Sequence, residues 1–289
     1  MPRIIASLAE ISAGYDALFC DLWGCLHNGK QPYPAAVAAL QAYRAQGGKV
    51  CLMTNAPRPS QYVIAQLDRM GVPRDAWDLV VSSGDAAQDA MFAGAVGLKV
   101  WHIGTEKDLG FFDDVPEVHA AAAPIRRVQL AEAEGIVASG PFDEIKETPE
   151  DYRARFIDAR DRGLPMLCAN PDIVVDLGET RIYCAGALAE FYESLGGQAL
   201  YFGKPHAPIY QRARQLMGLG AEARYLAVGD GIGTDILGAE QQGIDSIFVT
   251  GGLAAEAFGT DVEDPDAGLL DEWLAVQQRR PTYAIGRLR

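Results

Sequence analysis

The chain is poor in histidine (4 of 289 residues) and in cysteine (5), and Cys20, Cys25, Cys51, Cys168 and Cys184 stand apart with no Cys-x-x-Cys spacing. That excludes a disulfide scaffold and a Cys/His zinc module, and it leaves oxygen as the expected donor for any metal. Basic residues are short as well, 25 Lys plus Arg against 39 Asp plus Glu, for a formal charge of −14. This is the wrong sign for coating nucleic acid or anionic lipid, so neither is expected as a partner and a small molecule is. No run approaches about 18 uninterrupted apolar residues, and the N-terminal MPRIIASLAEISAGYDALFCD is broken by Glu10, Ser12, Gly14 and Asp16. No membrane span and no secretory signal is read there, and a cytoplasmic protein is expected. A P-loop is missing too, because Gly203-Lys204 runs into Pro205 rather than Ser or Thr.

What the chain has is alternation. At 49% hydrophobic it can bury a full core, and its length suggests two domains. A short leading helix is read before Ala17 to Cys20, an apolar strand that ends at Asp21. A Gly-containing loop runs through Gly29, and Pro34 opens a helix carrying Val37, Leu40 and Tyr43 on one face until Gly47-Gly48 stops it. Lys49 to Thr54 is the next strand. PRPSQYVIAQLDRMG supplies a helix, WDLVVSS a strand and GDAAQDAMFAG another helix. Such a series predicts a parallel sheet covered on both faces, with ligands at the loops that follow its strands.

From about residue 97 the texture loosens. GLKVWHIG, RRVQL and GIVAS read as strands around the acidic stretch FFDDVPEVHAAAAP. A helix starts near Pro149, and LPMLCANPD is a strand closed by the turn Asn170-Pro171-Asp172. This portion reads as a separate α+β or α/β unit, in which Trp101 and His102 fit a core as readily as a ligand wall. Clean alternation then returns: a helix from Ala185 to Leu195, a very short strand from Ala199 to Phe202, a helix from Pro208 to Met217, and RYLAVGD ending at Asp230. Thr234 is placed to cap a helix through Gln242, IDSIFVTGG is the next strand, and a helix near Leu269 to Gln278 precedes a last strand near Tyr283.

Polar residues collect where those strands end: Asp21 after LFC, Thr54-Asn55 after LM, Lys204 in a Gly-Lys-Pro turn, Asp230 and Asp235 in VGDGIGTD. Singly, each has an ordinary role as a cap, a turn residue or a solvated lysine. Together, on neighbouring strands, they would bring carboxylates, a hydroxyl and an ammonium into one crevice. Such a set suits magnesium, a hard ion that neutralises phosphate oxygens. Gly229, Gly231 and Gly233 mimic a dinucleotide fingerprint, but Asp230 interrupts it and no ribose-binding acid follows at the usual distance, so NAD is a weak alternative.

From Asp21 to about Gly252 these residues resemble the haloacid dehalogenase superfamily of phosphohydrolases, in particular its NagD-like subclass IIA. Asp21 is similar to the nucleophile of its first motif, Thr54 to the second-motif hydroxyl that holds phosphate, Lys204 to the third-motif lysine, and Asp230 with Asp235 to the fourth-motif acids. Asn170-Pro171-Asp172 and the helix that begins CAGALAEFY resemble features near the end of that subclass's cap. The resemblance implies an α/β fold, a Rossmann-like three-layer core with a parallel sheet plus an inserted α/β cap of C2 type. It places the core at residues 1–85 and 182–289 and the cap at 86–181, where it shields the chemistry and selects substrate.

It further implies phosphate release through an aspartyl-phosphate on Asp21, with Mg2+ held by Asp21, the Trp23 carbonyl and Asp230. Thr54, Lys204 and the backbone near Asn55 would hold the phosphate, and Asp235 would orient Lys204 or water. Asn28, Asn170 and Asp172 are candidate substrate contacts, and monomer and homodimer fit equally.

One position departs from the pattern. Where the superfamily's phosphatases carry a second acid two residues after the nucleophile, this chain has Trp23, and indole neither donates nor accepts a proton near neutral pH. Three readings follow: a substrate with a good leaving group, such as an acyl phosphate or anhydride; another acid nearby, for which His27 is the best local candidate; or weak turnover. The same gap keeps two alternatives open, a dehalogenase that uses Asp21 on carbon and a noncatalytic phosphate-ligand sensor.

Overall fold

A computed structural model describes residues 1–177 and 180–289. The strands are β1 (Arg3–Ile4), β2 (Ala17–Cys20), β3 (Lys49–Thr54), β4 (Leu79–Ser82), β5 (Lys99–Ile103), β6 (Arg126–Arg127), β7 (Gly135–Ala138), β8 (Pro165–Cys168), β9 (Val174–Leu177), β10 (Thr180–Tyr183), β11 (Gln198–Tyr201), β12 (Tyr225–Gly229), β13 (Asp245–Val249) and β14 (Tyr283–Ile285). The helices are α1 (Pro34–Ala45), α2 (Ser60–Arg69), α3 (Ser83–Phe92), α4 (Gly110–Asp113), α5 (Arg153–Asp161), α6 (Ala185–Ser194), α7 (Ala207–Met217), α8 (Leu237–Gln242) and α9 (Ala267–Gln277). They form two compact units, one of residues 1–54, 64–81 and 210–289, the other of 55–63 and 82–209.

The first unit is built on a seven-stranded sheet of order β1-β14-β13-β12-β2-β3-β4. β12, β2 and β3 lie side by side and parallel. Every residue of β2 and β12 is buried, the near-continuous apolar run of strands covered on both faces. α1 starts on Pro34, whose fixed φ suits a first helical turn, and buries Ala36, Val37, Leu40 and Tyr43 as one stripe. α9 is capped by the Asp266 carboxylate, which accepts the N–H groups of Gly268 and Leu269. It seals a core of Ile236, Phe248, Phe258, Leu270 and Leu274.

The second unit has its own parallel sheet, order β11-β8-β7-β5-β6. One face packs Ile103, Ile136, Met166, Tyr152, Phe156 and Tyr192, the other Val100, Val137, Leu167, Met91 and Phe111. Successive residues of β5 and β7 thus point to opposite layers. The antiparallel pair β9 and β10 completes it.

Several expectations are corrected. The leading helix is two single 3-10 turns, Leu8–Glu10 and Ser12–Gly14, the first tied back by Glu10, which accepts the N–H groups of Ala6 and Ser7. Thr234 caps nothing: Gly231 starts a wide turn over Ile232–Ile236, with Ile236 N–H reaching Gly231 O at 3.1 Å. RRVQL pairs only at Arg126–Arg127. β9 and β10, which the sequence pattern did not mark, pair antiparallel with Val174 opposite Tyr183 and Leu177 opposite Thr180. β11 pairs in register with β8 from Gln198 to Tyr201, and the second compact unit takes in residues up to Ile209. A four-residue strand carries no sign of which sheet it will join.

Candidate active site

β12, β2 and β3 end together, so the residues that follow share one edge of the first sheet. Asp21 N–H donates to Val228 O at 2.8 Å, extending the ladder one step past β2. Asp21, Thr54, Asp230 and Asp235 are all buried there. Asp230 Oδ2 accepts Leu253 N–H at 2.9 Å, and a Cβ on either Gly24 or Gly252 would stand 2.0 Å from that same oxygen. Both glycines are therefore required by the close approach, and Gly24 also by its φ of +71°. Asp235 Oδ2 accepts Gly231 N–H at 3.1 Å and lies against Gly229, where a Cβ would meet its Cγ at 2.1 Å. An oxygen of Asp21, an oxygen of Asp230 and Cys25 Sγ lie within 4.8 Å of one another. Two carboxylates held this closely suit a hard divalent cation.

The loop after Asp21 carries three of the expected residues. The half-exposed Trp23 ring lies over Gly29, whose Cβ would be 2.2 Å from the indole, and meets the His27 ring edge to face at 5.4 Å. His27 is 1% exposed, and its Nδ1 accepts Gly29 N–H at 3.0 Å. That bond requires a neutral ring with its proton on Nε2, and burial holds the imidazole down to about 4. Burial and the Gly29 bond favour the neutral ring and give His27 a place in supporting the loop. Asn28 is exposed and spends its Oδ1 on the N–H groups of Lys30 and Gln31 at 3.0 and 2.9 Å. This is the chemistry of an Asn-capped turn.

Within the second unit, Asn55 clamps the Lys204 backbone from both sides. Its Oδ1 accepts Lys204 N–H at 2.7 Å, and its Nδ2 donates to Lys204 O at 2.9 Å and to Asp172 Oδ1 at 2.8 Å. Asn170 Oδ1 accepts Asp172 N–H at 3.0 Å. A Cβ on Gly203 would lie 2.5 Å from Asn55 Oδ1, so glycine there lets the clamp close. Lys204 is 3% exposed, not the solvated lysine of the ordinary reading. The Asn55 carboxamide, Asn170 and Asp172 are thus tied into one junction with the Lys204 backbone.

Three site residues escaped the sequence reading. Gly252 and Leu253, which position Asp230, were signalled by the Gly251-Gly252 pair after β13, and Cys25 by its place four residues after Asp21 on a turn. A cavity of about 600 Å³ beside Tyr15, Arg224, Asp245 and Tyr283 lies at the opposite, amino-terminal ends of the strands. It contains none of the expected residues.

Residues 18–115 match a family model described as haloacid dehalogenase-like hydrolase, and residues 201–274 match one described as HAD-hydrolase-like. A crystal structure of a hydrolase of the haloacid dehalogenase-like family from Brucella suis 1330 is 39% identical, with each chain covering all of the other at a TM-score of 0.82. D-glycerol 3-phosphate phosphatase of Mycobacterium tuberculosis (strain ATCC 25618 / H37Rv) is 27% identical over 282 residues, 96% of this chain and 70% of that protein. Crystal structures of a glycerol phosphate phosphatase from Mycobacterium tuberculosis, in complex with calcium and with magnesium, are 25% identical at TM-scores of 0.66 and 0.67. They cover 95% of this chain and 74% and 76% of those chains.

Proposed function

We propose a mechanism for a chain that belongs to the haloacid dehalogenase superfamily of hydrolases, NagD-like subclass: phosphate release from a small phosphorylated metabolite through an aspartyl-phosphate on Asp21, with magnesium as cofactor. The observation that carries it is the pair of buried carboxylates, Asp21 and Asp230, with oxygens within 4.8 Å at the ends of adjacent parallel strands. The donors fit the ion. Both carboxylates are hard oxygen ligands, and Gly24 and Gly252 leave the space that brings Asp230 to its place. Magnesium, when bound, would neutralise the transferring phosphoryl oxygens, and Asp21, Asp230 and the Trp23 carbonyl would hold it.

An Asp21 carboxylate oxygen attacks phosphorus, the P–O bond to the leaving group breaks, and water then attacks the acyl phosphate to free inorganic phosphate and the carboxylate. Thr54, at the end of β3, is assigned to the phosphoryl charge, and Lys204 takes the same role by its resemblance to the motif lysine. Asp235, buried on the wide turn, is a positioning residue. The second unit, ending at Ile209, is the part we assign to substrate selection. Because Trp23 cannot protonate the leaving oxygen and His27 is assigned to supporting the loop, the reading favours substrates whose leaving group departs as a stable anion.

Dehalogenation shares Asp21 and tolerates Trp23, but attack on carbon gives no use to Asp230 held beside Asp21. A noncatalytic sensor is set against by the phosphatase relatives. The deciding experiment measures phosphate release from acetyl phosphate, p-nitrophenyl phosphate and glycerol 3-phosphate, with and without magnesium. Asp21→Asn is expected to lower the rate by roughly 10³-fold or more. Unchanged release in that variant would remove Asp21 as nucleophile.

A further inference from the structure

We propose that Cys25 gives this edge a second metal chemistry: a thiophilic divalent cation, zinc or cadmium, is held by Cys25 Sγ together with one carboxylate oxygen each from Asp21 and Asp230. The inference rests on the reading of Asp21 and Asp230 as metal ligands and extends it to a residue that reading does not use. The chain turns sharply after Asp21. Leu26 N–H and His27 N–H both reach Leu22 O, at 2.8 and 3.0 Å, and Gly24 N–H reaches His27 O at 3.0 Å. This tight loop brings Cys25 Sγ and an Asp21 carboxylate oxygen within 4.8 Å of each other.

The thiol is 1% exposed, and among the described residues its sulfur makes no hydrogen bond. It faces the two carboxylates instead, with all three donor atoms within 4.8 Å. No other cysteine joins such a cluster among the described residues.

Zinc takes sulfur at about 2.3 Å and carboxylate oxygen at about 2.0–2.2 Å, so its ligand atoms stand roughly 3.5 Å apart. The three donor atoms, within 4.8 Å of one another, would have to draw together to reach that spacing. Magnesium draws nothing from the sulfur, whereas zinc and cadmium gain a soft donor. When the sulfur–metal bond forms, the thiol proton passes to solvent. The site therefore prefers a thiophilic ion over magnesium and is blocked by it.

The test titrates the full chain, stripped of metal, with cadmium chloride alone, and follows the sulfur-to-cadmium charge-transfer band in the ultraviolet. A stoichiometric band is expected in the native chain and should be lost in Cys25→Ala, with Cys25→Val as a second apolar replacement and circular dichroism checking each fold. Asp230→Asn, which keeps the sulfur, should show the band only at cadmium concentrations more than about 10-fold higher. No band in the native chain, an undiminished band in a folded Cys25 variant, or unchanged cadmium affinity in Asp230→Asn would each overturn the inference. Magnesium-dependent phosphate release without the band sinks Cys25 alone, and the band without phosphate release sinks the hydrolase mechanism alone.

Discussion

On the proposed mechanism, Trp23 is the residue on which substrate choice would turn. Its half-exposed indole lies over Gly29 and against the edge of His27, and the Gly29 N–H bond and burial favour the neutral form of the neighbouring imidazole. General acid catalysis contributes about 10²–10⁴-fold, and it matters least where the departing oxygen is already a weak base. The native chain should cleave acetyl phosphate and p-nitrophenyl phosphate well ahead of glycerol 3-phosphate. Trp23→Asp should narrow that gap by raising the rate on glycerol 3-phosphate by ~10²-fold or more, read as the slope of log kcat/KM against leaving-group pKa. A slope equally steep in the folded variant would show that proton donation is not what limits the rate. The chemical gap at Trp23 was legible from residue type alone. His27 was not, since burial and the Gly29 hydrogen bond are properties of the folded loop.

At the scale of elements, the candidate site is a consequence of where strands stop. That β2, β3 and β12 are strands ending at polar residues was plain from short apolar runs, and a parallel sheet places such ends on one edge. Their adjacency, with β12 beside β2, is a long-range pairing that the local pattern does not encode. The segment around Lys204 shows the same division. Its turn was readable from Gly203-Lys204-Pro205, but the partner that holds it, Asn55, lies 149 residues away. Asn55→Ala leaves the buried Lys204 N–H and C=O without these bonds, a loss of about 1–3 kcal/mol. We expect the variant to melt lower by several degrees and to lose phosphate release more than the change in stability explains, because Lys204 is no longer held. Asn55→Asp keeps the acceptor for Lys204 N–H but sets a carboxylate against Asp172 Oδ1, where the amide stood at 2.8 Å, so it should melt no higher than Asn55→Ala. Native-like melting of Asn55→Ala would mean that the clamp contributes nothing.

For the whole molecule, the −14 charge and the buried histidines act oppositely as pH falls. His27 in the first unit and His102 in the second are each lowered by burial to about 4, against 6.5 unfolded, and His206 shares the direction. Between those values the unfolded chain binds a proton that the folded chain refuses. Stability therefore rises with pH across this window and is lost as pH drops from 6.5 towards 4, by up to ~1.4 kcal/mol per pH unit for each histidine. Relief of charge repulsion has the opposite sign but needs carboxylates to protonate, and most do so only near the bottom of the window. Asp78 belongs lower still: burial pushes its carboxyl up, but the Arg44 guanidinium and Val50 N–H outweigh it and hold it below its usual value. The histidines should thus dominate the upper part. Urea unfolding across pH 6.5 to 5 should show falling stability, flattened by His27→Asn, whose Oδ1 can still accept Gly29 N–H, and by His102→Gln, which can still reach Ser139 Oγ, bonded to His102 Nε2 at 3.0 Å. Hydrogen exchange in β2 and in β7 separates the two effects, since His27 should govern the first and His102 the second. Equal flattening of both strands by either variant would show that the two units unfold as one.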